Sequence, residues 1–131
     1  MSITCSENLN ARKKVLIVDD DSYMIRVLSI KLEKGGYEVI TASNGEAGLE
    51  KIKTCKPNVV ISDVCMPKMN GWNMCRKIIS YAEVQPDLII IMTSMIEREE
   101  REKIKLLPNA LFVPKPISPK NILMLIQQQY N

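Results

Sequence analysis

The hydrophobic residues of this chain are concentrated in five short runs, separated by longer amphipathic stretches. The runs are four to six residues long and rich in Val, Ile and Leu, which is typical of strands buried on both faces of a sheet. Each run is followed by a polar residue or a proline, so its end is easy to place. The five predicted strands are residues 15–18, 37–42, 59–62, 88–92 and 110–113.

The intervening stretches repeat apolar residues every three or four positions, which predicts amphipathic helices. In the first helix, Asp21 or Ser22 is suited to cap the amino end, and Gly35 marks the carboxyl end. The stretch 96–107 is nearly all charged in its middle, so we expect that helix to be held weakly against the sheet. The first predicted helix follows a cap at Asp21 or Ser22 and ends at Gly35-Gly36. The others are residues 46 to about 55, 71 to about 82 and 96–107, with a last one that begins at Pro119 after Ser118.

Strands that alternate with helices through short loops form a parallel sheet with right-handed crossovers and helices on both faces. The sequence therefore predicts an α/β fold in which the carboxyl ends of the strands share one edge. A chain of 131 residues suits one domain with a substantial core. We expect residues 1–13 to be a loose polar leader and residues 14–131 to form the domain.

Composition excludes several functions. The formal charge is only +3, and basic residues cluster only at 12–14, which is too few for a nucleic-acid patch. No apolar run approaches the length of a membrane span, and residues 1–14 lack the hydrophobic centre of a signal peptide. We therefore expect a cytoplasmic protein without direct nucleic-acid or membrane contact. The sequence has no histidine, which removes Ser–His and Cys–His nucleophile pairs.

The cysteines show no pattern of a metal site. They form no C-x-x-C pair, and a zinc site would need all four of them, one in the polar leader. Reduced thiols are the expected state in a cytosolic protein. The four positions are Cys5, Cys55, Cys65 and Cys75.

Polar side chains follow four of the predicted strands. Asp19 and Asp20 follow the first, Asp63 the third and Thr93 the fourth, and Lys115 comes shortly after the fifth. Three carboxylates at one edge would repel each other and raise one another's pKa values. A hard divalent cation removes that conflict, and Mg²⁺ is the usual choice where phosphate chemistry occurs. With an ammonium and a hydroxyl opposite the metal, this set suits phosphoryl transfer onto Asp63.

Five segments of the chain together resemble one known family. VLIVDDD, NGEAGLEKIK, VVISDVCMPKMNG, LIIIMTS and LFVPKP are similar, in order and spacing, to the receiver domain of two-component response regulators, including the stand-alone chemotaxis-type regulators. The resemblance covers about residues 14–130. It implies a flavodoxin-like (βα)5 fold with strand order 2-1-3-4-5. It also implies a signalling domain that catalyses only its own phosphorylation and slow dephosphorylation.

The resemblance implies a set of phosphoacceptor and metal ligands. Asp63 would accept the phosphoryl group from a histidine kinase or a phosphotransfer protein. Asp20, Asp63 and the backbone carbonyl of Cys65 would bind Mg²⁺ directly, with Asp19 acting mainly through water. The backbone at Val64, Cys65 and Ser94 would contact the phosphoryl group.

The resemblance also implies how the signal leaves the site. Thr93 and Lys115 would contact the phosphoryl group, and Phe112 occupies the aromatic switch position, where many relatives have tyrosine. The partner-binding face would lie around residues 96–107 and the fifth strand, for an output protein or fused output domain that the sequence does not identify. The Lys115–Pro116 bond is expected to be cis.

Three other functions are weaker interpretations of the same residues. Asp19 and Asp21 have the D-x-D spacing of aspartyl-phosphate hydrolases of the haloacid dehalogenase type, but Tyr23 stands where that family has threonine. A receiver used only for docking would not need the complete acid, threonine and lysine set. A flavin-binding module would bring a phosphate against the acids after the first strand.

Overall fold

The structure, a computed structural model, describes residues 12–64, 71–80, 86–93 and 109–130. Its strands form one sheet in the order β2-β1-β3-β4-β5, and every neighbouring pair is parallel. The predicted flavodoxin-like sheet and its strand order are confirmed. The strands are β1 (Lys14–Val18), β2 (Glu38–Ala42), β3 (Val59–Asp63), β4 (Leu88–Thr93) and β5 (Ala110–Pro114).

Helices begin where the sequence offers capping groups. The Asp21 side chain accepts hydrogen bonds from the amides of Tyr23 and Met24, and the Ser118 hydroxyl accepts one from Asn121. Because these side chains satisfy amides that lack a partner within the helix, they fix its first turn. The predicted helix at 96–107 lies outside the described residues. The described helices are α1 (Ser22–Lys34), α2 (Gly45–Cys55), α3 (Gly71–Ser80) and α4 (Pro119–Gln129).

Three strands extend one residue beyond their predicted ends. Asp63 is the last residue of β3 and pairs with Met92, while Thr93 pairs with Pro114. The apolar pattern stops earlier because it reports side-chain burial, whereas the ladder depends only on backbone groups. Asp63 and Thr93 are consequently part of the sheet, whereas Asp19, Asp20 and Lys115 directly follow the ends of their strands.

Side chains that alternate along each strand build a separate core on each face of the sheet. One core joins Ile17 and Ile61 to Leu28 of α1 and Ile122 of α4. The other packs α2 and α3 against the opposite face. Both faces of the central strands are therefore covered, and every residue of β3 and β4 is buried. This burial fixes the backbone from which the edge side chains project.

The two cysteines in the described part of the chain differ in their bonded state. Cys55 is disulfide-bonded, so the expectation of reduced thiols is wrong for that residue. Cys75 is a free and fully buried thiol, and burial raises its pKa to about 12. In the described part of the chain, no helix combines the length and apolar character that crossing a membrane requires.

Candidate functional site

The carboxyl edge of the sheet brings together the acids that the sequence places after β1 and β3. Asp19, Asp20 and Asp63 each have a carboxylate oxygen within 4.8 Å of the other two. Their proximity follows from topology, since β1 and β3 are neighbours and pair in parallel register. Asp19 and Asp63 are buried and Asp20 is exposed, so the cluster opens to solvent on one side.

Asp19 is the most constrained of the three acids. Its Oδ1 accepts a hydrogen bond of 3.0 Å from the Asp21 amide, and its side chain is fully buried. Oδ2 is buried without a hydrogen-bond partner among the described residues. Burial raises the pKa of Asp19 to about 6, and the charge of Asp63 acts in the same direction, while the hydrogen bond from Asp21 opposes the shift. A buried carboxylate oxygen without a hydrogen-bond donor is energetically unfavourable, and a positively charged ligand beside it would stabilise it.

Lys115 closes the cluster from the β5 side. Its ammonium donates a hydrogen bond of 3.1 Å to Oδ2 of Asp63, and its backbone amide donates one of 2.6 Å to the Thr93 carbonyl. Burial lowers the pKa of Lys115, but the hydrogen bond and charge of Asp63 and the charges of the other two acids outweigh it, so the pKa is raised. The Lys115–Pro116 bond is cis, as expected.

The donor set fits a hard divalent cation. The three carboxylates each have an oxygen within 4.8 Å of the other two, and one oxygen, Oδ2 of Asp19, is buried without a hydrogen-bond partner among the described residues. Lys115 supplies one positive charge to this cluster, which leaves it net negative. Mg²⁺ prefers such oxygen ligands and commonly binds through one or two carboxylates where phosphate is handled.

The family comparison agrees with this arrangement. A model of the response regulator receiver domain matches residues 15–127, which is most of the chain. This chain belongs to the response regulator receiver domain family. Receiver domains are signalling domains of two-component systems, and the resemblance found in the sequence is confirmed.

Individual relatives of this receiver domain include a transcriptional regulatory protein and a chemotaxis protein. The alkaline phosphatase synthesis transcriptional regulatory protein PhoP of Bacillus subtilis is 36% identical over 112 residues, which are 84% of this chain and 45% of that protein. The chain thus spans about half the length of this curated relative. Chemotaxis protein CheY of Thermotoga maritima is 36% identical over 84% of this chain and 91% of its own length.

The solved structures give the same fold. Chemotaxis protein CheY4 of Vibrio cholerae superposes with a TM-score of 0.82 at 30% identity, over 90% of this chain and 98% of that protein. The receiver fold therefore accounts for nearly all of this chain.

Of the remaining predicted site residues, three lie on or beside β3, β4 and β5, and two lie outside the described residues. Thr93 is buried at the end of β4, and Phe112 is half-buried in β5, where it packs against a small core that includes Val64 and Ile91. The Val64 amide donates a hydrogen bond of 3.2 Å to the Met92 carbonyl. Cys65 and Ser94 lie outside the described residues, so their backbone contacts stay predictions.

One contact at the site was not anticipated from the sequence. The hydroxyl of Ser62, the residue before Asp63, donates a hydrogen bond of 2.8 Å to the Asp63 carbonyl. Ser62 is fully buried, so this bond ties the backbone of the acceptor residue to its own strand. A polar residue inside an otherwise apolar strand was the available signal.

Proposed function

We propose that Asp63 accepts a phosphoryl group from a histidine kinase or a phosphotransfer protein in a reaction that depends on Mg²⁺. The observation that carries the proposal is the position of Asp63. It ends the central strand, lies 3.1 Å from Lys115 and shares a carboxylate cluster with Asp19 and Asp20. Among these acids it is the one with an ammonium beside it to neutralise an incoming phosphoryl group.

The transfer forms one bond and breaks another. A carboxylate oxygen of Asp63 attacks phosphorus, the P–N bond of the donor phosphohistidine breaks, and its electron pair stays on the imidazole nitrogen. The product is an acyl phosphate on Asp63. Lys115 pairs with a phosphoryl oxygen in place of the carboxylate, and the Thr93 hydroxyl lies at the same edge to donate a hydrogen bond.

The metal site belongs to the same chemistry. Asp19, Asp20, Asp63 and the backbone carbonyl of Cys65 would hold Mg²⁺, which supplies positive charge against the phosphoryl oxygens when bound. The site needs this positive charge because the acidic side chains of the cluster would otherwise repel the incoming phosphoryl group. Phosphorylation would then be communicated through Thr93 and Phe112 to a partner-binding face around residues 96–107 and β5.

The test uses a small phosphodonor such as acetyl phosphate with the intact chain. We expect uptake of one phosphoryl group in Mg²⁺ and almost none in EDTA. Borohydride reduction converts a phosphorylated aspartate to homoserine, so peptide mass spectrometry should find homoserine at position 63. Asp63→Asn should lose the uptake, while Asp87→Asn, which alters an acid just before β4, should retain it.

Each other outcome contradicts the proposal. Equal uptake by the Asp63→Asn variant would remove Asp63 as the acceptor. Homoserine at position 19 would favour the haloacid dehalogenase interpretation, in which the nucleophile follows the first strand. No uptake from any phosphodonor would leave a receiver used only for docking.

A further inference from the structure

Ser62 is a buried polar residue between two apolar neighbours in the sheet. It is fully buried and pairs in register with Val18 on β1 and with Ile91 on β4. Paired residues of a parallel sheet project from the same face, and both neighbours belong to the apolar clusters that cover this face. A hydroxyl in such surroundings is unfavourable unless it is hydrogen-bonded. Packing alone therefore does not explain a serine at this position.

The Ser62 hydroxyl bonds to the peptide group that joins Asp63 to Val64. The amide of this peptide donates a hydrogen bond of 3.2 Å to the Met92 carbonyl on β4, and its carbonyl accepts one of 2.8 Å from Ser62 Oγ. The amide and carbonyl of a trans peptide point in opposite directions, so the carbonyl points away from β4 and towards β1. The pairing of β1 with β3 ends at Val18 and Ser62, so this carbonyl lies beyond the last pair. The hydroxyl thus supplies a donor where the ladder has ended.

This peptide group determines how the acceptor residue is oriented. The direction of the Asp63 carbonyl defines the torsion angle ψ of Asp63, and pairing with Met92 already holds the residue in β3. With its backbone fixed, the carboxylate of Asp63 is held 3.1 Å from the Lys115 ammonium. We infer that Ser62 is a positioning residue, whose hydroxyl fixes the peptide after Asp63 and so holds the carboxylate in the orientation for phosphoryl transfer. The inference rests on the proposed function of Asp63.

The first measurement is the rate of phosphorylation of the intact chain by acetyl phosphate in excess Mg²⁺. Ser62→Ala removes the hydroxyl and should lower the initial rate about fivefold, the effect of losing one orienting hydrogen bond. Ser62→Thr keeps a hydroxyl on the same Cβ atom and should restore most of the rate. The matched control is Ile91→Val, which loosens the same layer of the sheet beside Ser62 and should keep the natural rate. All rates are compared at a temperature at which each variant is folded by circular dichroism.

The second measurement needs neither metal nor phosphoryl group. In EDTA, the ¹³C carbonyl resonance of Asp63 reports the hydrogen bond that this oxygen accepts. We expect Ser62→Ala to shift the resonance, and Ser62→Thr and Ile91→Val to leave it close to its natural position. A purely structural role of Ser62 in the core would lower the melting temperature without changing either this resonance or the rate.

The outcomes separate the role of Ser62 from that of Asp63. If Ser62→Ala is phosphorylated as fast as Ile91→Val, or if its Asp63 carbonyl resonance is unchanged, the inference is wrong and Asp63 can still be the acceptor. A folded Ser62→Thr with the natural resonance and the slow rate of Ser62→Ala would also overturn it, because the hydrogen bond would then not govern the rate. Absence of uptake by the natural chain would overturn the proposed function and this inference together.

Discussion

At the scale of single residues, the site depends on one buried acid as much as on the acceptor. Asp19 is held by the Asp21 amide at one oxygen, and its other oxygen has no hydrogen-bond partner among the described residues. Burial of this second oxygen is therefore energetically unfavourable, and a cation beside it would stabilise the Asp19 carboxylate. Such groups concentrate at functional sites, because stability alone would not favour them.

The raised pKa of Asp19 predicts how stability changes with pH in the absence of Mg²⁺. As pH rises from about 4 to 6, the unfolded chain releases the Asp19 proton before the folded chain does, so folding becomes less favourable. Above about 6 both states are ionised and the loss is constant. Asp19→Asn should thus be more stable than the natural chain at pH 7 by about 3 kcal/mol, with the difference vanishing near pH 4.

Urea unfolding in EDTA at several pH values between 4 and 7 measures this difference. The exposed Glu50→Gln on α2 serves as a control for removing one negative charge. Added Mg²⁺ should narrow the gap, because the cation stabilises the ionised acid only in the folded chain. A gap that is the same at pH 4 and pH 7 would show that burial of Asp19 does not govern it.

At the scale of elements, α2 approaches the sheet closely at Gly48. A Cβ atom on Gly48 would lie 2.9 Å from Val18 Cγ2 and 3.0 Å from Met74 Sδ. Real Cβ contacts are essentially never shorter than 3.0 Å, so a larger residue at position 48 would force Val18 or Met74 to shift. This close approach fixes α2 against Val18, the residue immediately before Asp19.

We predict that Gly48→Ala lowers the free energy of unfolding by about 1–2 kcal/mol. Alanine favours helix by about 1 kcal/mol over glycine, so without the close contact the substitution would stabilise the chain. Glu50→Ala, at an exposed position of the same helix, should change stability by no more than a few tenths of a kcal/mol. Chemical denaturation of the two variants gives the comparison. A more stable Gly48→Ala would mean that α2 can move away from the sheet.

At the scale of the whole molecule, the two edges of the sheet carry different kinds of contact. The carboxyl edge holds the acids and Lys115. At the amino edge, the Tyr130 hydroxyl donates a hydrogen bond of 2.7 Å to Asp87, and the Lys13 ammonium lies 4.8 Å from the centre of the Tyr130 ring. These contacts join the end of α4 to the segments that precede β1 and β4, so they fasten the carboxyl-terminal helix to the sheet.

We predict that Tyr130→Phe lowers the free energy of unfolding by about 1 kcal/mol, since it removes this hydrogen bond and keeps the ring. Tyr23→Phe is the matched control, because Tyr23 is 71% exposed and its change should leave stability almost unaltered. Hydrogen exchange should also show earlier opening of α4 in Tyr130→Phe. Identical unfolding curves for the two variants would show that the Tyr130–Asp87 bond contributes nothing measurable.

The sequence by itself determined the elements and the residues that lie at the functional edge. Short apolar runs and capping residues such as Asp21 and Ser118 act on their immediate neighbours, so their effects can be read locally. The resemblance to receiver domains added the strand order and the cis Lys115–Pro116 bond, and both are present. The alternation of strands and helices implies a parallel sheet, and this was enough to predict that the acids at the strand ends share one edge.

Only the tertiary structure determined the burial, the contacts and the pKa shift of each of those residues. Lys115 and Asp63 are 52 positions apart in the chain, and their contact requires β3, β4 and β5 to be assembled. The acids Asp19 and Asp20 are adjacent in sequence, yet the first is buried with a raised pKa and the second is exposed. Burial, pKa shifts and the bonded state of Cys55 depend on which distant segments surround a group, and a local pattern carries no information about those neighbours.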